Sequence, residues 1–203
     1  MSYWSAGIAH ISDVKRFVEA TKGWAGAKMR EYGATDLNLM HVVFGGEQVG
    51  RLFIGVEYPS LDAMLEGKAL QETDPQIVRL TTDCGVELLS QSLLRTVGER
   101  GERAGAYASG LYVAHEPMDE ETVRRNLDVN WSHLEQGATG LIQLQLIAAG
   151  ERTGLSVFLT NTDSADLFFS ASARNFADPH TQKVMTDLKA VIVNRFFARR
   201  LIV

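Results

Sequence analysis

The sequence predicts an α+β chain in which one βαββαβ unit is written twice, with antiparallel sheets. Three observations carry this. The chain matches itself at a single shift, the matched positions include residues that end helices and make turns, and each copy alternates strand-type and helix-type apolar patterning in the same order.

A shift of 104 residues, which carries Gly46 onto Gly150, aligns the two copies without a gap. Tyr3 and Ser5 fall on Tyr107 and Ser109, and Gly33-Ala34-Thr35 falls on Gly137-Ala138-Thr139. Gly46-Glu47 and Gly50 meet Gly150-Glu151 and Gly154, while Ser60 and Asp62 meet Ser164 and Asp166. Asp74-Pro75 meets Asp178-Pro179, and Thr82-Asp83 meets Thr186-Asp187. These are helix exits, hairpin turns, helix caps and a proline break, each with a backbone reason to persist.

In the first copy, Tyr3 to Ile11 reads as a strand. Ser12-Asp13 opens a helix with apolar positions Val14, Phe17, Val18, Trp24 and Ala27, closed by Gly33. Leu37 to Phe44 and Arg51 to Tyr58 are strands joined by the Gly45-Gly46-Glu47-Gln48 turn. Ser60 caps a second helix, interrupted at Asp74-Pro75 and resuming to about Cys84, and Val86 to Val97 is the fourth strand. The second copy repeats this order: strand Tyr107–Ala114, helix Glu120–Gln136, and hairpin strands Leu141–Ala149 and Leu155–Asn161. A helical stretch from Ser164 to about Ile192, broken at Asp178-Pro179, precedes a last strand, Asn194–Val203.

Strand-helix-strand-strand-helix-strand is the ferredoxin-like order, with both helices on one sheet face. The units are expected at 1–99 and 107–203, with 100–106 as the connector. The mixed-sign cluster Glu99 to Arg103 fits a solvated linker. Each unit leaves a second sheet face to be covered, and the other unit is the obvious cover.

The order of elements resembles the dimeric α/β-barrel superfamily. The passage Tyr58-Pro59-Ser60-Leu61-Asp62-Ala63 after the third strand and the Asp178-Pro179-His180 break are similar to segments of that superfamily. The resemblance covers both halves and lies in topology and turn chemistry. It implies a tandem-duplicated barrel whose ligand pocket lies between sheet and helices or inside the barrel. Relatives of that type include cofactor-independent monooxygenases, haem-binding and haem-degrading proteins, and proteins of unknown role. A duplicated chain closes the barrel internally as a pseudo-dimer, or each half pairs with its equivalent in a second copy, as a homodimer or higher assembly.

Strand alternation divides the candidate site residues between faces. Asn38, Met40 and Val42, with Ile142, Leu144 and Leu146, are expected under the helices. His41, Gln143 and Gln145 are then expected to face the barrel interior. Tyr3, Ser5, Arg95, Tyr107, Ser109, Arg195 and Arg199 join them as candidate ligand-binding residues, a set that suits a small polar-headed molecule with an apolar or aromatic body. The same set also suits a hydrogen-bonded interface between sheets. His41, mid-strand, is the candidate catalytic acid or base. His41 and His180 are the candidates if haem is bound, and His115 is expected to be exposed. Trp24 and Trp131 are read as core anchors and the lone Cys84 as a buried structural thiol.

Several classes are disfavoured. The net charge is −5 and the arginines are scattered, so nucleic acid is not an expected partner. No local His or Cys spacing predicts a metal site, and no cofactor is expected. No apolar run is long enough to span a membrane, and no signal-peptide pattern opens the chain, so a cytoplasmic location is expected. Two functions remain: binding a small molecule, with metal-free monooxygenase chemistry as its catalytic form, or a non-catalytic role as sensor, carrier or assembly module. A polar constellation kept by one copy and lost by the other would favour a single specialised site.

Overall fold

Ser60, Ser164, Asp74 and Asp178, four of the residues that mark the repeat, are helix caps. Ser60 Oγ accepts from Ala63 N–H at the start of α3 (Leu61–Thr73), and Ser164 Oγ accepts from Leu167 N–H at the start of α6 (Ala165–Ala177). Asp74 and Asp178 end those helices and cap the next ones, α4 (Pro75–Asp83) and α7 (Pro179–Asp187), each with proline in the first turn. Each such cap contributes about 1 kcal/mol. The paired hairpin glycines are also explained: Gly46 and Gly150 both take φ +60°, a backbone that other residues rarely adopt.

The computed structural model describes residues 1–202. The first unit holds β1 (Tyr3–Ile11), β2 (Asp36–Phe44), β3 (Leu52–Tyr58) and β4 (Val86–Gly101). The second holds β5 (Tyr107–Ala114), β6 (Gly140–Ala148), β7 (Ser156–Thr162) and β8 (Val191–Arg200). The remaining helices are α1 (Val14–Lys22), α2 (Trp24–Glu31) and α5 (Glu120–Leu134). No helix among the described residues is long and apolar enough to cross a membrane.

Three local expectations need correction. The first helix is two, because Gly23 leaves helical geometry (φ −103°, ψ −120°), and Trp24 at the start of α2 is 44% exposed rather than a core anchor. The helical stretch in the second unit ends at Asp187, and β8 begins at Val191, since the β-branched run Val191-Ile192-Val193 favours a strand. The expected end of that strand, Val203, lies outside the described residues. Cys84 is fully buried, and burial pushes its thiol pKa up.

All strand pairing is antiparallel, in the closed order β1-β3-β2-β8-β5-β7-β6-β4. Two seams join the units. At one, β2 pairs with β8 through Met40–Arg200 and His41–Arg199; at the other, β4 pairs with β6 through Arg95–Gln145. The barrel therefore closes within one chain.

The faces are the reverse of those expected. Met40, Val42, Ile142, Leu144 and Leu146 meet Trp4, Phe53 and Phe196 inside the barrel, whereas Leu39 and Leu141 pack under the helices. His41, Gln143 and Gln145 share the helix-side parity. Both faces of each sheet are buried here, and alternation alone does not say which layer covers which face.

The segment between the units is partly buried. β4 runs to Gly101, two residues into the expected connector. Arg103 then makes two hydrogen bonds to Glu57, at 2.5 and 3.1 Å, and pairs with Glu99 at 2.8 Å and Asp36 at 3.2 Å. Its guanidinium lies 5.3 Å from the Trp4 ring, and the Glu57 side chain is only 6% exposed. Removing one partner of a buried pair strands the other charge. Arg103→Ala is expected to cost about 3 kcal/mol in urea unfolding, and a change below about 1 kcal/mol would show that the pair is a surface contact.

Candidate functional site

On β8 the interior positions are Phe196 and Ala198, so Arg195 points the other way, towards the helices of the second unit. There its Nε donates to Ser109 Oγ on β5 at 3.2 Å and its Nη2 to Ser172 Oγ on α6 at 2.9 Å. The rings of Phe168 and Phe169 each lie 5.3 Å from the guanidinium. No carboxylate among the described residues pairs with it, and burial lowers its pKa with nothing to oppose the shift.

Arg195 lies on the wall of a partly open cavity of about 110 Å³ between the second unit's sheet and α5, α6 and α7. The lining is mainly apolar, with Leu141, Phe158 and Phe168 prominent. Two polar groups, Gln143 and Asn126 Oδ1, are left free within it. Gln143, 2% exposed, makes no side-chain hydrogen bond among the described residues, and the Asn126 Oδ1 is buried without a partner. Asn175 and Asn130 bond each other at 2.7 Å. A buried amide without a partner costs roughly 1–3 kcal/mol, so these groups are best explained as waiting for solvent or ligand.

His115 also lines this cavity, half-buried rather than exposed. Its Nδ1 lies 2.7 Å from the Glu116 carbonyl and its Nε2 lies 2.8 Å from Ser156 Oγ. A carbonyl only accepts, so Nδ1 carries the proton. In the neutral ring, Nε2 is then the basic atom, accepting from the Ser156 hydroxyl. His180 lines the same cavity from α7 but is exposed.

The first unit is packed with apolar side chains at the equivalent place. Leu39 stands where the second unit has Gln143, Val56 where it has Thr160, Ile11 where it has His115 and Gln91 where it has Arg195. The α1–α2 break brings Phe17 and Ala25 onto Ile11, Leu39 and Leu52 in a filled core. Gln91 still donates to Ser5 at 2.9 Å, a neutral echo of the Arg195–Ser109 bond. One copy therefore keeps a polar constellation that the other lacks.

Of the sequence-predicted residues, Ser109, Gln143 and Arg195 come together here. The others do not join them. Tyr3 packs with Met29, Tyr58 and Met64 in the first unit, and Tyr107 stacks on Phe197 at 5.6 Å. Arg95 donates to Gln145 at 2.6 Å across the β4–β6 seam. Arg199 is exposed beside half-buried His41, and neither lines this cavity. Sequence reasoning missed Ser172 and Asn175. Their signal was present: Phe168, Ala171, Ser172 and Asn175 form the buried stripe of α6, and two of the four are polar.

Gln143→Leu, which copies the first unit's Leu39, is expected to stabilise the fold by roughly 1 kcal/mol, raising Tm by about 2–4 °C. A fall in Tm on thermal unfolding would mean that Gln143 is already satisfied.

No protein-family model matches the sequence, and no curated protein sequence matches it. Solved structures do match in fold. A candidate monooxygenase from Fusobacterium nucleatum superposes with TM-score 0.63 at 9% identity, covering 99% of this chain and 93% of that one. A candidate monooxygenase from Lactobacillus acidophilus gives TM-score 0.59 at 10% identity, covering 99% and 94%. An anthrone oxidase-like protein gives 0.56 at 10% identity, covering 97% and 91%. At these identities the likeness shows the fold alone: a tandem dimeric α/β-barrel of ferredoxin-like units.

Proposed function

We propose that this chain binds one small, mostly apolar molecule carrying an anionic or carbonyl oxygen, in the cavity under α5, α6 and α7. The observation that carries this reading is Arg195, a half-buried cation without a carboxylate, held in place by two serines and two aromatic rings. A guanidinium so fixed keeps N–H donors directed at a ligand oxygen with little ordering cost. Gln143 and Asn126 supply further polar contacts, and the apolar lining accepts a short hydrocarbon body.

Ligand titration with medium-length aliphatic oxo acids and diketones, followed by calorimetry, tests the reading. Arg195→Gln, which keeps hydrogen bonding but removes the charge, is expected to weaken binding at least tenfold. Equal affinity in the two proteins would overturn it.

The catalytic form of this reading is metal-free oxidation of an enolisable substrate. His115 Nε2 takes the substrate proton, Arg195 stabilises the resulting oxyanion, and the electron-rich anion reduces dioxygen. That an imidazole and an unpaired cation both line one cavity favours this form, as does the fold shared with proteins described as monooxygenase candidates and anthrone oxidase-like. The acid/base role falls to His115 because it lines this cavity and His41 does not. Substrate-dependent oxygen uptake that falls roughly 100-fold in His115→Gln, with binding intact, is the expected result. Binding without oxygen uptake would assign a carrier or sensor role. Haem fits poorly: about 110 Å³ is less than the roughly 150 Å³ of a cavity that holds benzene.

A further inference from the structure

Inside the barrel the two copies differ in the opposite sense. Along one cross-strand row of the first unit, Ser92, Ala6, Gly55 and Asn38 stand side by side on β4, β1, β3 and β2. The corresponding row of the second unit is Phe196, Gly110, Leu159 and Ile142. Phe196 fills the second unit's share of the interior so closely that a methyl group on Gly110 would lie 2.1 Å from its ring. The small row opposite leaves a partly open cavity of about 50 Å³, separate from the one under α5–α7.

Its polar equipment comes from both units. Asn38 is 7% exposed, and its Oδ1 is buried without a partner. Arg152, in the 3-10 turn between β6 and β7, reaches over the cavity. Its Nη2 lies 3.4 Å from Ser92 Oγ and its guanidinium 5.9 Å from the Tyr112 ring. It pairs with no carboxylate among the described residues. Burial pushes the Tyr112 hydroxyl up to about 12, against the pull of Arg152, so it stays a proton donor. In the first unit the position of Arg152 is held by neutral Gln48.

We propose that this second cavity binds a short-chain carboxylate of acetate or propionate size, its charge on Arg152 and Ser92 and its carbon chain against Trp4 and Phe196. The size follows from the volume. About 50 Å³ exceeds the roughly 10–15 Å³ of one water but is about a third of the 150 Å³ that holds benzene. The anionic head follows from an uncountered guanidinium beside two hydroxyl groups, which offers donors in one direction and no acceptor charge. The apolar tail follows from the aromatic walls.

Propionate titration of the intact protein, read by ligand-observed NMR and calorimetry, tests this directly. The expected result is saturable binding, weakened roughly tenfold or more in Arg152→Gln, the residue the other copy carries. Ser92→Phe, again the other copy's residue, should abolish binding. Should Ser92→Phe fail to fold, Arg152→Gln decides alone. Absence of saturable binding, or equal binding by Arg152→Gln, overturns the proposal. So does loss of propionate binding in Arg195→Gln, which would place the ligand in the other cavity.

Discussion

Closure of the eight-stranded barrel is the constraint on which everything else rests. Each four-stranded sheet, covered by its helices on one side, would otherwise expose Met40, Phe53 and Leu94 or Leu144, Val157 and Phe196 to water on the other. It would also leave β2, β4, β6 and β8 as open edges. Joining β2 to β8 and β4 to β6 buries both faces against each other and pairs those edges. Because the two units are covalently linked, this union does not depend on protein concentration. The Arg103–Glu57 pair ties the connector to β3, so the chain crosses from one unit to the other along a defined path.

Closure also sets what each copy is free to change. Once the scaffold is secured at two seams, an identical pair of pockets is no longer required. The first unit has filled the space under its helices with Phe17, Ala25, Leu39 and Leu52, while its barrel face carries Ser92, Gly55 and Asn38. The second unit has done the reverse: Phe196, Leu159 and Ile142 fill the barrel, and Gln143, Ser172 and Arg195 line an open helix layer. Each unit is solid on the side where the other is open. Asn38 and Asn126, each with a buried amide oxygen that has no partner, lie at these two openings.

The chemistry of the larger opening comes from what surrounds one cation. Arg195 is desolvated, yet its partners are hydroxyls and aromatic faces rather than carboxylates. Such a group is strained in its free state and gains most from a ligand that brings negative charge. His115 is oriented by a backbone carbonyl, which leaves its Nε2 basic. In the proposed reading, His115 is the base and Arg195 the place for the anion that the base creates.

Sequence by itself determined the duplication, the order of elements and most caps and turns. These features rest on local backbone demands, such as a serine before a helix or a glycine at positive φ, which each copy must meet for itself. It also supplied Ser109, Gln143 and Arg195, because polar residues stand out within apolar strands. Tertiary structure alone decided which face of each sheet turns inward, which is why Gln143 lies under the helices rather than in the barrel. Alternation specifies that two faces differ, and with both buried it carries no sign. It likewise decided that Ser172 and His115 meet Arg195 around one cavity while His41 does not, since that depends on how α5 to α7 pack across the sheet. Only closure of the barrel shows that the two copies opened on opposite sides, because a cavity is a property of everything that fails to fill it.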